Sequence, residues 1–295
     1  HWTKGITVHF DGNGYKNTLK DKTVTPDKVF SSLPSLSSYY CPANKALDGW
    51  YIKNADGSFG EAVTKDTVFS GDEVTLIAKW RDYQYIIKYN VKYSDKNTTT
   101  GTMADQPAPF GQNVQLTPCG FSREGYTFAG WDKAIPATMP AENLTITAHW
   151  SLDTYSITYN LDGGTASGNP DFYTVESSTI TLNPPTRTGY TFIGWSGTDL
   201  SGSDNLTVTI PAGSIGNRSY IAHWSLNTYS ITYDLDGGTA LGNPDFYTVE
   251  SSAITLNEPT KAGYVFTGWS GTDLVGEDNL TVTIPAGSIG DRRYT

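Results

Sequence analysis

Residues 155–220 read YSITYNLDGGTASGNPDFYTVESSTITLNPPTRTGYTFIGWSGTDLSGSDNLTVTIPAGSIGNRSY, and residues 229–294 repeat this stretch with 12 differences. The two copies are offset by 74 residues, the size of one small domain. An active site brings unlike groups together once, whereas copying a domain reproduces every group in it. So close a tandem repeat therefore favours an array of copied domains over an enzyme.

Two more divergent copies lie upstream, where the same aromatic landmarks recur. A Gly-Trp step occurs once per copy, at Gly49-Trp50, Gly130-Trp131, Gly194-Trp195 and Gly268-Trp269. An Ala-x-Trp ending follows in three copies, at Ala78-Lys79-Trp80, Ala148-His149-Trp150 and Ala222-His223-Trp224. His1-Trp2 matches the tail of a preceding copy and Thr295 falls short of a fourth Ala-x-Trp, so we expect a segment of a longer protein.

These landmarks divide the chain into a short tail and four repeats. The predicted bounds are 1–4 for the tail of a preceding repeat, 5–81 for repeat 1, 82–152 for repeat 2, 153–226 for repeat 3 and 227–295 for repeat 4, which stops before its closing strand ends. The connections are expected to be two or three residues long, at Arg81-Asp82, Ser151-Leu152-Asp153 and Ser225-Leu226-Asn227. Such short joints restrict the angle between neighbours and predict an extended array.

The composition predicts a mainly β protein. Thr, Tyr and other strand-favouring residues are abundant, while 30 Gly and 15 Pro mark turns. The net charge of −10 argues against a nucleic acid or an anionic membrane surface as a partner. The sequence contains no signal peptide, membrane-spanning stretch or anchor motif, and we predict no membrane insertion in this segment.

Alternation of apolar and polar residues predicts the strands of repeat 3. Ile157, Tyr159 and Leu161 alternate with polar residues, as in a half-buried strand. Further strands are expected at 172–175, 180–182, 190–195, 206–210 and 219–224. The Gly-Trp step breaks the alternation. A bulge at Gly194 would return the Trp195 indole to the core, whereas strict alternation would leave it exposed as a contact surface.

Comparison of the copies predicts which side chains face the core. One set of positions near the Gly-Trp step stays large and apolar and should face inward: Leu47, Phe128, Phe192 and Phe266. The adjacent set varies in polarity and should face outward: Asp48, Ala129, Ile193 and Thr267. In the closing strand, the Ala and Trp of Ala-x-Trp should face inward and the residue between them outward.

The recurring Gly-Tyr-x-Phe-x-Gly-Trp motif and the closing Ala-x-Trp resemble the Listeria–Bacteroides repeat family, the B-repeat of internalin-type bacterial surface proteins. The motif stands at 125–131, 189–195 and 263–269, and repeat 1 departs from it at 45–50. The resemblance implies a mainly β fold of small β-grasp-like domains, repeated in tandem and arranged as an elongated rod. It also implies an extracellular location on the bacterial cell surface. The long loops after Trp195 and Trp269 depart from the family and leave the strand order there open.

The cysteines and histidines offer little chemistry. Cys41 and Cys119 lie in different repeats and are predicted to be unpaired buried thiols, with a bridge between repeats as the alternative. His149 and His223 take the position of Lys79, and a lysine does not replace a neutral imidazole as a metal ligand. His9 is likewise predicted to be a solvent-facing strand residue.

An acidic loop and one lysine are the remaining candidates for chemistry. Asp199 and Asp204, matched by Asp273 and Asp278, supply oxygen ligands of the kind calcium takes, but their spacing matches no standard calcium loop. Lys88 is the best lysine for a Lys–Asn crosslink, although Thr158 takes its place in repeat 3. We therefore predict no catalytic residue, no cofactor and no metal.

The sequence thus predicts a structural spacer of a bacterial cell-surface protein that projects a functional head from the cell envelope. Its partners would be the neighbouring repeats of the same chain. The alternative is a multivalent adhesion module, whose outward aromatics and loops bind a glycan or a host protein. Buried Trp side chains favour the spacer, and an exposed row of Trp side chains favours the adhesion module.

Overall fold

A computed structural model describes residues 1–26 and 33–295. The chain forms two compact units, His1–Ser151 and Leu152–Thr295. The described residues contain 22 strands, two 3₁₀ turns at Ser38–Tyr40 and Tyr93–Asp95, and no α-helix. The prediction of a mainly β protein is therefore confirmed.

The first unit holds two sheets. The strands of repeat 1 are β1 (Ile6–Asp11), β2 (Lys22–Val24), β3 (Lys45–Lys53), β4 (Phe59–Ala62) and β5 (Glu73–Asp82), in the spatial order β2-β1-β5-β3-β4. Those of repeat 2 are β6 (Gln84–Asn90), β7 (Thr99–Thr100), β8 (Gln106–Pro109), β9 (Ser122–Arg123), β10 (Tyr126–Trp131) and β11 (Leu144–Leu152), in the order β7-β9-β10-β11-β6-β8.

The second unit begins with the strands of repeat 3. These are β12 (Tyr155–Asn160), β13 (Phe172–Tyr173), β14 (Ile180–Thr181), β15 (Tyr190–Gly197), β16 (Thr209–Ile210) and β17 (Arg218–Leu226). Four of them form a sheet in the order β13-β12-β17-β15, and β14 pairs with β16 in a separate small sheet. The strand predicted at 206–210 is shorter than expected because Leu206 is exposed and unpaired, leaving only Thr209–Ile210 in the sheet.

Repeat 4 has fewer strands than repeat 3. They are β18 (Thr228–Tyr233), β19 (Phe246–Thr248), β20 (Ile254–Thr255), β21 (Thr283–Ile284) and β22 (Arg292–Tyr294). They form a three-stranded sheet, β19-β18-β22, and the pair β20-β21. Residues 264–268, which match the start of β15, are not in a strand.

One topological feature is common to all four repeats. The first strand of each repeat lies beside its last strand and runs parallel to it, in the pairs β1–β5, β6–β11, β12–β17 and β18–β22. Residues that alternate along these strands, such as Ile157 and Tyr220, are buried in the hydrophobic cluster of their repeat. Each of the four hydrophobic clusters draws its residues from one predicted repeat.

The Gly-Trp step is a bulge that turns the indole into the core, as predicted. The pairing of β15 with β17 shifts between Phe192 and Gly194, and Gly194 takes a φ of 144° that favours glycine. Trp195 is fully buried as a result. Trp50 and Trp269 are also buried, whereas Trp131 is half-buried.

The predicted inward and outward sets are also confirmed. Leu47, Phe128, Phe192 and Phe266 are all half-buried, while Asp48, Ala129, Ile193 and Thr267 are all exposed. In the closing strands the three alanines of Ala-x-Trp are buried. The three closing tryptophans are half-buried, and Trp224 packs against the core of repeat 3.

Candidate functional site: the junctions between repeats

Within each unit, a single residue connects one repeat to the next. In the first unit β5 ends at Asp82 and β6 begins at Gln84, which leaves only Tyr83 between them. In the second unit β17 ends at Leu226 and β18 begins at Thr228, which leaves only Asn227.

The predicted connections at Arg81-Asp82 and Ser225-Leu226-Asn227 were therefore too long. The closing strands continue through these residues because they keep pairing with the neighbouring strand of the same repeat. The pairs are Ala46 with Arg81, Lys45 with Asp82, Thr191 with Ser225 and Tyr190 with Leu226. A connection of one residue between two strands leaves little freedom for bending at the junction.

Each connecting residue is held by the same backbone hydrogen bond. The Tyr83 N–H donates to the Asn44 carbonyl over 2.8 Å, and the Asn227 N–H donates to the Gly189 carbonyl over 3.0 Å. Both acceptors have positive φ, 58° at Asn44 and 76° at Gly189. Asn and Gly are the residues that adopt this conformation most readily, so the same turn forms from different sequences.

In the first unit, repeat 2 also forms hydrogen bonds to the junction. The Tyr83 carbonyl accepts a hydrogen bond from the Phe110 N–H of repeat 2 over 2.9 Å. The Tyr85 hydroxyl of repeat 2 donates to Asn44 Oδ1 of repeat 1, also over 2.9 Å. The connecting residue is thus bound by both repeats that it joins.

The junction in the second unit combines packing with polar contacts. The Val249 side chain of repeat 4 covers Gly189 so closely that a Cβ there would lie 2.5 Å from it. The Thr191 hydroxyl donates to Asn227 Oδ1 over 2.7 Å. The Tyr190 hydroxyl donates to the Glu250 carboxylate of repeat 4, and this bond raises the pKa of Tyr190.

A cation orients the Tyr190 ring from inside repeat 3. The Arg187 guanidinium lies 3.8 Å from the ring centre and pairs with the Asp162 carboxylate over 2.9 Å. Repeat 4 carries the same arrangement with Lys261 over Tyr264 at 4.4 Å and with Asp236 at 2.8 Å from the Lys261 ammonium. Tyr264 is nevertheless largely exposed.

Comparison with known proteins agrees with the repeat pattern. Residues 155–216 and 229–287 match the Listeria-Bacteroides repeat domain, and residues 89–154 match the Divergent InlB B-repeat domain. This chain belongs to the Listeria–Bacteroides repeat family. The matched residues make up more than half of the chain, and the divergent model falls on one of the two repeats that the sequence marked as divergent.

Two relatives illustrate the proteins in which these repeats occur. A "Putative Gly-rich membrane protein" of Evansella cellulosilytica is 26% identical over 282 residues, which cover 92% of this chain and 31% of that protein. Internalin H of Listeria monocytogenes is 27% identical over 209 residues, covering 66% of this chain and 35% of internalin H. The chain thus spans about a third of the length of these relatives.

The acidic loops of the last two Listeria–Bacteroides repeats hold an arginine. Asp199 pairs with the Arg218 guanidinium at 2.5 Å, and Asp273 pairs with Arg292 at the same distance. Burial disfavours the charge of Arg218, but hydrogen bonds to Tyr173 and Asp199 outweigh it and raise its pKa. Asp204 and Asp278 stay exposed. The alternation pattern does not predict this pair, because its members lie in separate segments of the repeat.

The asparagine of each acidic loop caps the bulge. Asn205 Nδ2 donates to the Trp195 carbonyl over 2.9 Å and to the Ser201 carbonyl over 3.0 Å. Asn279 does the same for Trp269 over 2.9 Å. Within the part of the chain that the structure describes, no three His, Cys, Asp or Glu side chains group together as a metal site would require.

The remaining candidates lie apart from one another. Cys41 and Cys119 are unpaired, but they are half-buried rather than buried as predicted. Burial raises the pKa of the Cys41 thiol. The Nε2 atom of His223 lies 2.6 Å from the Ser196 hydroxyl oxygen. The His223 side chain is half-buried, whereas His149 is exposed.

His9 and Lys88 both lie on first strands. His9 Nδ1 contacts the Asp21 carboxylate at 2.8 Å. Lys88 is exposed and lies beside Thr145 of the parallel neighbour, whereas a protected Lys–Asn crosslink would need a buried lysine beside an asparagine. No helix in residues 1–26 and 33–295 has the length and apolar character needed to cross a membrane.

Proposed function

We propose that this segment is a structural spacer of a bacterial cell-surface protein, holding a functional head away from the cell envelope. The observation that carries the proposal is the parallel pairing of the first and last strands in every repeat. Because two parallel strands start at the same end of a sheet, the chain enters each repeat at one end and leaves it at the other. Repeats joined this way gain length with each copy.

The one-residue junctions support the same role. Tyr83 is bonded to the repeats on both sides, and Val249 and Glu250 of repeat 4 contact repeat 3. A spacer needs joints that resist folding back, and such contacts restrict the bending of neighbouring repeats. The strand order β2-β1-β5-β3-β4 supports a β-grasp-like repeat, with the first and last strands at the centre of the sheet.

Location at the bacterial surface is part of this proposal. Its support is the family itself, together with relatives described as a membrane protein and as an internalin. Antibodies raised against the chain should label intact cells of the source bacterium as strongly as lysed cells. Labelling only after lysis would reject the location.

Small-angle scattering of the chain tests the spacer directly. Four repeats in line should span on the order of 120 Å, whereas one globule of this length has a radius of gyration of about 19 Å and a far smaller maximum dimension. Insertion of Gly-Ser-Gly-Ser between Asn227 and Thr228 should broaden the distance distribution. The same insertion after Gly213, in an exposed turn, is the matched control. A compact distribution for the parent chain would reject the proposal.

A multivalent adhesion module is the second candidate, and one observation favours it. Phe172 and Phe246 stand 74 residues apart on the edge strands β13 and β19, and both are more than 60% exposed. Three of the four Gly-Trp indoles are buried, which favours the spacer. Under the spacer proposal, a glycan array shows no binding above that of a Phe172→Ala/Phe246→Ala variant. Binding that this double substitution abolishes would favour adhesion.

A further inference from the structure

Tension on the chain reaches the strands of a repeat without slack. β17 ends at Leu226 and β18 begins at Thr228, so only Asn227 separates the last strand of repeat 3 from the first strand of repeat 4. One residue spans at most about 3.6 Å, which leaves no length to extend. A pull on the chain therefore acts directly on the first and last strands of a repeat.

The direction of this pull follows from the parallel pairing of the two strands. β12 is pulled from its first residue and β17 from its last, and in a parallel pair these residues lie at opposite ends. The two strands are therefore driven to slide along each other. The residue pairs from Ile157–Arg218 to Asn160–Ile221 then have to give way together, whereas an antiparallel pair would be peeled open one residue pair at a time.

Both strands of this pair lie inside the sheet of repeat 3. β13 flanks β12 and β15 flanks β17, so neither strand of the pair is at an edge. Ile157 and Tyr220 are buried in one hydrophobic cluster. A slide of β17 by one residue would take Tyr220 out of register with this core, because successive side chains face opposite sides of a sheet. Hydrogen bonding and core packing therefore resist the slide together.

A further hydrogen bond, which we call the clip, fastens the beginning of the pair in all four repeats. A backbone N–H near the start of the first strand donates to the residue just before the last strand. In repeat 3, the Ser156 N–H donates to Asn217 Oδ1 over 2.9 Å. The other clips join the N–H of Thr7 to the Asp72 carbonyl over 3.0 Å, that of Ile86 to Asn143 Oδ1 over 2.9 Å and that of Ser230 to Asp291 Oδ1 over 2.8 Å.

The clip of repeat 3 lies where a pull from the preceding part of the chain enters the repeat. Ser156 is the second residue of β12, and Asn217 directly precedes β17. Ser156 also stands before the first residue pair, Ile157 with Arg218. Its bond to Asn217 is therefore the first link between the two strands on the side from which β12 is pulled, and it adds to the bonds that a slide has to break.

We propose that each repeat bears tension along the chain, with the parallel pair of first and last strands carrying the load and the clip as its first bond. This role goes beyond that of a spacer, which has to be long but need not resist a pull. Repeats that unfold easily could still form a long array, and a compact array could still consist of strong repeats. Scattering and force measurements can therefore fail separately.

Optical tweezers test the proposal on the full chain by pulling repeat 3 in two directions. DNA handles are attached through introduced cysteines, with Cys41 and Cys119 replaced by Ser. Leu152→Cys with Leu226→Cys pulls the strand pair from opposite ends, whereas Leu152→Cys with Ile215→Cys pulls it from the same end. All three sites are exposed. The first geometry should need at least about twice the unfolding force of the second, because the residue pairs resist together.

Two further measurements support this comparison of directions. Unfolding of repeat 3 should lengthen the tether by on the order of 200 Å in both geometries, which identifies the event. Urea denaturation of the two cysteine variants should give the same free energy of unfolding, so that a difference in force reflects the direction of the pull alone. Equal unfolding forces in the two geometries would overturn the proposal.

Two substitutions test the clip. Asn217→Ala removes one hydrogen bond from the loaded pair, and at constant force in the first geometry repeat 3 should unfold about fivefold faster. Asn169→Ala is the matched control, because it removes two hydrogen bonds with Asn183 that lie outside the pair. It should change the unfolding rate by less than about twofold. Equal effects of the two substitutions, or no effect of Asn217→Ala, would overturn the role assigned to the clip.

Discussion

Repeats 3 and 4 have nearly the same sequence but not the same sheet. Residues 190–195 read YTFIGW and form part of β15, whereas residues 264–269 read YVFTGW and are not assigned to a strand up to Gly268. Val and Thr favour strands as much as the residues they replace do. The difference lies in the neighbour. β15 pairs with β17 along its length, while the described residues place no strand beside 264–268.

The core shows the opposite behaviour. Trp195 and Trp269 are both fully buried, and each is capped by an asparagine that donates to its carbonyl. Gly194 and Gly268 have φ values of 144° and 145°. The same glycine conformation and buried indole therefore form whether or not the residues before the Gly-Trp step pair with a strand. Local turn chemistry and burial determine the core, and strand pairing determines the edge.

The largest effect is expected from removing the core indoles. Trp195→Ala and Trp269→Ala should each lower the free energy of unfolding by roughly 3–5 kcal/mol, because a large cavity replaces the ring. Urea denaturation of each variant measures this loss. Phe172→Ala, at an exposed edge, is the control and should cost far less. A Trp195→Ala protein that unfolds like the parent would show that the indole does not hold the core.

The Phe variants sharpen this result. Neither Trp195 nor Trp269 Nε1 has a hydrogen-bond partner among the described residues. Trp195→Phe and Trp269→Phe therefore lose packing but no hydrogen bond, and each should retain more stability than the corresponding Ala variant.

The next effect separates the two repeats. Gly189 and Gly263 both have positive φ, so replacing either one by Ala should lower the free energy of unfolding by about 1 kcal/mol. Gly189→Ala should cost about 1–3 kcal/mol more, because its methyl group would overlap Val249. Urea denaturation measures the difference. Equal losses at the two sites would mean that repeat 4 does not press on Gly189.

Much of the core could be predicted from the sequence because it depends on short-range patterns. The bulge at Gly194 and the outward position of Ile193 follow from alternation compared across copies. The contacts of the acidic loop and of the junction between repeats 3 and 4 could not be predicted from alternation. The Arg218–Asp199 pair and the Val249–Gly189 contact join residues that no periodicity relates. Their geometry depends on how separate strands are placed, which is a tertiary property.

The length of the connections was misjudged for a related reason. Arg81, Asp82, Ser225 and Leu226 directly follow the Ala-x-Trp endings, which mark the ends of the repeats in the sequence, and this position predicts linkers. Pairing with β3 and β15 keeps them in strands. Strand ends depend on the partner strand, and alternation within one strand does not show where its partner stops.

A smaller loss of stability should appear at high pH, and it should be equal in repeats 3 and 4. Burial raises the pKa of Tyr159 and that of Tyr233 to about 12. Each hydroxyl donates over 2.9 Å to a carbonyl, of Pro170 and Pro244 respectively. Because the folded pKa exceeds the unfolded one, this stability is complete below pH 10 and is lost as the pH rises toward 12.

Unfolding midpoints measured between pH 9 and pH 12 test this expectation. Tyr159→Phe and Tyr233→Phe should each flatten the loss of stability with pH, and by similar amounts. Tyr93→Phe, at an exposed site, is the control. A steep loss that persists in both variants would assign the alkaline transition to other groups.

The smallest expected effect on stability is that of adding or removing calcium. Asp199 and Asp273 are each held by an arginine at 2.5 Å, and the guanidinium already supplies the positive charge that a cation would bring. A cation bound only by the folded state would raise stability by mass action. Melting curves in excess EDTA and in millimolar calcium should therefore coincide. Arg218→Gln and Arg292→Gln sharpen the comparison, because each frees one carboxylate while keeping a side chain of similar length. If calcium stabilised the parent by several degrees, the acidic loops would be metal sites. If it stabilised only the two variants, the arginines would be what excludes the ion.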